Sequence, residues 1–199
     1  MLRYCLRNRL LCFCFVIALC CVALITVLLS RSAVGRYEGA GDAAGVIAAL
    51  DDGSGRKLRQ ALDAGANPDM VDANGTPAIT LAAQRNQLNH VLLLLERGAL
   101  PDGADKDGRT TLMFAAENGN IAVLRALLGR GAKAERGDNQ LRTALTFAVL
   151  GRMMDAVAVL AAVGAPLDAQ DAEGKTALLH AAEQGDAAMV RLLAEHNAS

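Results

Sequence analysis

The chain carries two kinds of hydrophobic pattern, one continuous and one periodic. Leu10 to Leu29 reads LLCFCFVIALCCVALITVLL, twenty residues with no charge and Thr26 as the only hydroxyl. As a helix such a run spans roughly 30 Å, the thickness of a bilayer's hydrocarbon core. Nothing amphipathic breaks it, which argues against a buried core helix. Beyond it the apolar positions come in short bursts. Asp105 and Gly108 mark a tight turn, and Thr110 then predicts the cap of a helix over 111–118 with Leu112, Ala115 and Ala116 on its apolar face. Gly119 breaks that helix. Val123, Leu124, Leu127 and Leu128 form the stripe of a second one over 121–130, which Gly131 ends as a left-handed C-cap residue.

This unit recurs. Gly-Ala pairs stand at 65–66, 98–99, 131–132 and 164–165, one every 33 residues, and the next step lands on Asn197-Ala198. Asp72, Asp105, Asp138 and Asp171 share that register, as do Gly75, Gly108, Leu141 and Gly174 three residues later. Small pairs follow at Ala82-Ala83, Ala115-Ala116, Ala148-Val149 and Ala181-Ala182. Four residue classes keep one period without an insertion. Two short helices cannot bury their faces alone, so the period predicts stacked copies sharing one elongated core.

The pattern resembles the ankyrin repeat, D-x-x-G-x-T-P-L-H-x-A-A followed by a glycine, a leucine-rich helix and G-A. Residues 105–116 (DKDGRTTLMFAA) and 171–182 (DAEGKTALLHAA) match it closely. The resemblance implies an all-α ankyrin solenoid, helix-turn-helix units joined by β-hairpin turns, and the apolar run at 10–29 sets one transmembrane helix before it. Its divisions are a partial capping repeat at 42–70, then repeats at 71–103, 104–136, 137–169 and 170–199. The departures are specific. The family's Thr-Pro is Pro77-Ala78, Thr110-Thr111, Thr143-Ala144 and Thr176-Ala177 here, and its histidine position holds Thr80, Met113, Thr146 and Leu179. His180 sits one residue late, so the inter-repeat hydrogen bonds that the histidine makes are in doubt. Leu141 in place of a turn glycine implies a hairpin that is either strained or differently shaped.

Composition sharpens the picture at the amino end. Arg3, Arg7 and Arg9 precede the apolar run and only Arg31 and Arg36 closely follow it. The positive-inside rule then reads 1–9 as a basic cytoplasmic terminus and 10–29 as a transmembrane signal anchor. Residues 30–41 follow as a flexible stalk, with the repeats periplasmic or extracellular. The alternative is an exported soluble protein with a cleaved signal peptide. Against it, the apolar stretch exceeds the usual 7–15 residues and the best cleavage site, Ser30-Arg31-Ser32, has an arginine at its centre. All five cysteines lie at or before Cys21, which permits an oxidising compartment without requiring one. CxC at 12–14 and CC at 20–21 have no His, Asp or Glu beside them to complete a metal site.

Net charge is −1, from 20 basic and 21 acidic residues, so nothing global points to nucleic acid. No catalytic, cofactor or metal constellation is legible: His90, His180 and His196 are not spaced as ligands, and Gly174-Lys175-Thr176 lacks the earlier glycine of a phosphate loop. The expectation is therefore a non-enzymatic scaffold without cofactor, tethered to the membrane through 10–29 and holding another protein. It is not expected to bind nucleic acid or a small-molecule substrate. An accessory or stress-protection factor that supports a partner enzyme is the alternative. The resemblance implies docking on the concave face, built from hairpin tips and the exposed side of the first helices. Carried over by position, that face includes Arg85, Lys106, Arg109, Glu117, Asn139, Gln140, Arg142, Lys175 and Glu183. Arg109, Arg142 and Lys175 share one column, expected to point outward as a cationic row roughly 10 Å apart that meets acidic groups of a partner or simply keeps the surface soluble.

Overall fold

The computed structural model describes residues 40–196, and it is helical throughout with short hairpin turns between helix pairs. Ten helices lie among these residues: α1 Ala40–Asp51, α2 Gly55–Asp63, α3 Ala78–Gln84, α4 Leu88–Glu96, α5 Thr111–Glu117, α6 Ile121–Gly129, α7 Ala144–Leu150, α8 Met154–Ala162, α9 Ala177–Glu183 and α10 Ala187–Glu195. From α3 onward each odd helix packs on the even one that follows it, odd helices stack on odd and even on even. That is a solenoid. The helix α1 begins at Ala40, inside the segment expected to be stalk; alanines at 43, 44, 48 and 49 favour helix and outweigh Gly41 and Gly45 within it. Among the described residues no helix is long and apolar enough to cross a membrane. The span at 10–29, the basic segment 1–9 and the Asn197 cap lie outside the described residues.

The core is one continuous strip of small and branched side chains. Ala82, Ala115 and Ala148 on the first helices, with Val91, Leu124 and Val157 on the second, are wholly buried, and so are Leu94, Leu127 and Leu160. Alanine lets the first helices approach closely. At Gly151 the approach leaves no room for a side chain: a Cβ there would lie 2.5 Å from the Glu117 carbonyl oxygen of the preceding repeat.

Each hairpin is fixed by its aspartate. Asp72, Asp105, Asp138 and Asp171 use Oδ1 to accept from the amides two and four residues ahead, at 2.8–3.1 Å. Isolated antiparallel bridges Val71–Pro77, Ala104–Thr110 and Gly137–Thr143 close three of these turns. Thr110, Thr143 and Thr176 then cap α5, α7 and α9 with their hydroxyls, whereas Pro77 offers α3 no side-chain cap.

Leu141 resolves the choice that its sequence left open. Its amide donates to the Asp138 carbonyl at 2.9 Å, as Gly75, Gly108 and Gly174 do in their hairpins, and its φ is +60°. The hairpin keeps its shape and carries the strain. The side chain is 59% exposed, so little packing offsets that strain. Leu141→Gly should therefore stabilise the chain by about 0.5–1 kcal/mol, the left-handed penalty less glycine's extra freedom when unfolded. A raised denaturation midpoint at constant slope would show it.

Candidate protein-docking face

The first helices and hairpin tips form one face, and the structure rearranges what was expected of its cations. Arg109 does not reach outward. Its guanidinium lies 4.1 Å from the Phe114 ring centre and 4.4 Å from that of Phe147 in the next repeat, and its Nη2 pairs with Glu117. Its Nε is buried with no acceptor among the described residues. Arg142 stacks 4.7 Å from the Phe147 ring and grips Asp138 Oδ2 through Nε at 2.9 Å and Nη2 at 2.7 Å. Lys175 pairs with Glu183 at 2.8 Å. The three cations expected to point outward as a row are each paired with a carboxylate of their own repeat. The physical reason is that the rings and carboxylates of the same register lie within reach.

The pairing follows a spacing of eight. Glu117 stands eight residues after Arg109 and Glu183 eight after Lys175, but eight after Arg142 comes Leu150, so Arg142 turns back to its hairpin aspartate. Asp138 is 1% exposed at the side chain and Arg142 27%, so this pair is the most enclosed of the three. In the last repeat His180 occupies the column of Leu81, Phe114 and Phe147, and its Nε2 lies 2.7 Å from Asp171 Oδ2. Thr80, at the family's histidine position, takes up the inter-repeat bonding that was in doubt. Its hydroxyl is 2.9 Å from that of Thr111 and 3.3 Å from the Gly103 carbonyl.

What remains accessible on this face is the hairpin tips. Lys106, Asn139 and Gln140 are exposed, and the tips are tied together by backbone bonds from Asn139 to the Asp107 carbonyl and from Ala172 to that of Gln140, 3.0 and 2.9 Å. Arg85 is exposed and pairs with Asp51, and Glu183 is exposed beside Lys175. The result is a row of hairpin tips joined through their backbones and carrying few paired charges. Among the described residues no three His, Cys, Asp or Glu side chains converge where a metal could sit.

Two kinds of titrating group hold the frame. At Asp72 the hydrogen bond from the Thr76 amide, with others from Asn74, brings the carboxyl below its ordinary range. At Asp171 burial pushes upward, but the Lys175 amide and His180 outweigh it and leave the carboxyl lowered. His90, on α4, is lowered by burial, with Nδ1 2.9 Å from Gln87 Oε1 while Gln87 donates to the Leu50 carbonyl at 2.9 Å. A lowered pKa means that the folded state resists protonation, so stability held at neutral pH is lost as pH falls. The expectation is a shallow loss below about pH 6.5 from His90 and a further loss below about pH 3.9 from the aspartates. A melting series against pH checks it, and His90→Gln should remove only the first step.

A family model of ankyrin repeats, in three copies, matches residues 46–138 and 134–199. The search of curated proteins found no match.

Proposed function

Because the chain belongs to the ankyrin-repeat family, we propose that it is a scaffold holding a partner protein against the hairpin tips and first helices of its concave face, tethered to a membrane by residues 10–29. Ankyrin repeats serve as protein-interaction modules, and the tip row is the observation that carries the reading. Asp105, Asp138 and Asp171 each fix a hairpin from within, and the backbone bonds at Asn139 and Ala172 lock neighbouring hairpins together. A surface preorganised in this way loses little entropy on binding. The contacts are proposed to centre on Lys106, Asn139 and Gln140, with Arg85, Glu117 and Glu183 at the edge and the paired Arg109, Arg142 and Lys175 supporting them.

The tether rests on the uncharged run from Leu10 to Leu29 and on the arginines before it. It places the repeats on the periplasmic or extracellular side. The full chain should stay with membranes through a carbonate wash, and protease added outside should digest the repeats. A soluble product starting near Ala33 would defeat the tether. For the face, Lys106→Glu combined with Gln140→Arg should cut capture of the partner from solubilised membranes by roughly tenfold or more. Arg125→Glu, on α6, should leave capture unchanged. Equal capture by both variants would defeat the concave reading.

A further inference from the structure

The groove between α2 and α4 differs in residue type from its counterparts farther along the stack. Gly55 opens α2, where the next three second helices open with Leu88, Ile121 and Met154. His90 on α4 stands in the register of Val123, Ala156 and Met189. Three steps of the stack thus carry an apolar pair at this register, and the first carries a missing side chain and an imidazole. The groove there has a volume of about 490 Å³, and Arg56, Arg59, Asn89 and Glu96 line it with Gly55 and His90.

His90 is 5% exposed, yet half of its hydrogen-bonding capacity is unused. Gln87 donates its amide to the Leu50 carbonyl, which only accepts, so Oε1 is the atom 2.9 Å from His90 Nδ1. Nδ1 must then carry the proton. Burial lowers the pKa of the ring, so at neutral pH Nε2 presents a lone pair. It meets no partner among the described residues and opens on the groove at Gly55, where a Cβ would lie 3.4 Å from it. Gln87 gives up a cap to hold it: Ser54, Asn120 and Asp186, in the same register, cap their helices with their side chains, and Gln87 does not. Arg56 and Arg59, three residues apart on one side of α2, are exposed and have no carboxylate partner among the described residues, whereas Arg85, Arg97, Arg109 and Arg142 are paired.

We propose that this groove binds the phosphate end of a small water-soluble phosphate monoester, its charged oxygens on Arg56 and Arg59 and its remaining P–OH donating to His90 Nε2. Two guanidiniums disfavour a metal cation, and the lone pair at Nε2 disfavours a fully ionised anion. An anion that keeps a proton satisfies both. A phosphate monoester, whose second pKa is about 6, does so in part near neutral pH, and a sulfate does not. The groove has room for carbon beyond the phosphate. Asn89 and Glu96, the latter about 9 Å along α4 from His90, can meet hydroxyls there. Spacing between histidines could not reveal the site, because one imidazole held by Gln87 suffices. The groove lies on the second helices, away from the hairpin tips, so this proposal and the docking reading fail independently.

The test is a titration of the full chain in detergent, isotope-labelled in its histidines, with glycerol 3-phosphate at about pH 6.5. The His90 Nε2 resonance should move while those of His180 and His196 stay. Inorganic phosphate should do the same, and sulfate should bind roughly tenfold or more weakly, having no proton for Nε2. Gly55→Ala sets a methyl against Nε2 and should cut phosphate affinity roughly tenfold. Its denaturation midpoint should be equal or higher, since alanine favours helix. Arg56→Gln combined with Arg59→Gln should weaken phosphate binding by about the same factor. Equal affinity for sulfate and phosphate, or binding that Gly55→Ala leaves intact, would overturn the proposal by reducing it to general attraction toward the arginines. A shift with zinc and none with phosphate would overturn it in favour of a cation. So would a shift with phosphatidic acid in the micelle and none with glycerol 3-phosphate, which would make the phosphate a lipid's.

Discussion

Arg142→Glu should lower the stability of the chain by roughly 2–3 kcal/mol. Removing one partner of a fully buried ion pair costs about 3–5 kcal/mol, because the other charge is left without compensation. Arg142 is 27% exposed, so solvent screens part of that cost, but Asp138 beneath it is 1% exposed and would face a second carboxylate. The Phe147 ring also loses the guanidinium 4.7 Å above it. The effect should be visible as a lower denaturation midpoint. Lys175→Glu should cost far less, since its partner Glu183 is half-exposed and can turn to water. Equal midpoints for Arg142→Glu and the parent would mean that the Arg142–Asp138 grip is not formed in solution.

Gly151→Gln should cost about 2 kcal/mol, near the middle of the range for overpacking a tight contact. Register alone suggests the opposite. The equivalent positions in other repeats are Arg85, Asn118 and Gln184, so glutamine is a residue that this site already accepts elsewhere. The structure disagrees because the neighbour is backbone: the added Cβ would meet the Glu117 carbonyl oxygen at 2.5 Å, and no rotamer change relieves that. The backbone of Gly151 itself is ordinary, with φ −77°, so the cost comes from the approach of α7 to α5 and not from turn strain. Asn118→Ala, at the same register on an exposed side chain, should stay within about 0.5 kcal/mol. A neutral Gly151→Gln would show that the first helices can separate freely.

The period made the fold legible, and it did so through residues whose role is local. Thr110 as a cap and Gly131 as a left-handed terminus could be read directly, and the structure gives Thr110 its bond from the Met113 amide and Gly131 a φ of +84°. Leu141 was legible as an anomaly but not in its outcome, since only the intact Asp138 hairpin shows that strain was accepted in place of a new turn. The orientation of Arg109 and Arg142 was misread because register places a Cα, not the end of a long side chain. The signal was available: Phe114 and Phe147 share a column in a chain with 3% aromatics, and Glu117 and Glu183 each stand eight residues after a cation. His180 was set aside for being one residue late, although its offset is what puts it in the ring column and within 2.7 Å of Asp171. Gly151 carried no signal at all, because the helix spacing that it fits is a property of two repeats together.

Hydrogen exchange on the full chain, alone and with its captured partner bound, tests the docking reading most directly. Protection should appear at the hairpins 72–76, 105–109, 138–142 and 171–175 and at the carboxyl ends of α3, α5, α7 and α9, while α4, α6 and α8 exchange as before. Protection centred on α4, α6 and α8, with the hairpins unchanged, would place the partner on the opposite side of the stack and contradict the account.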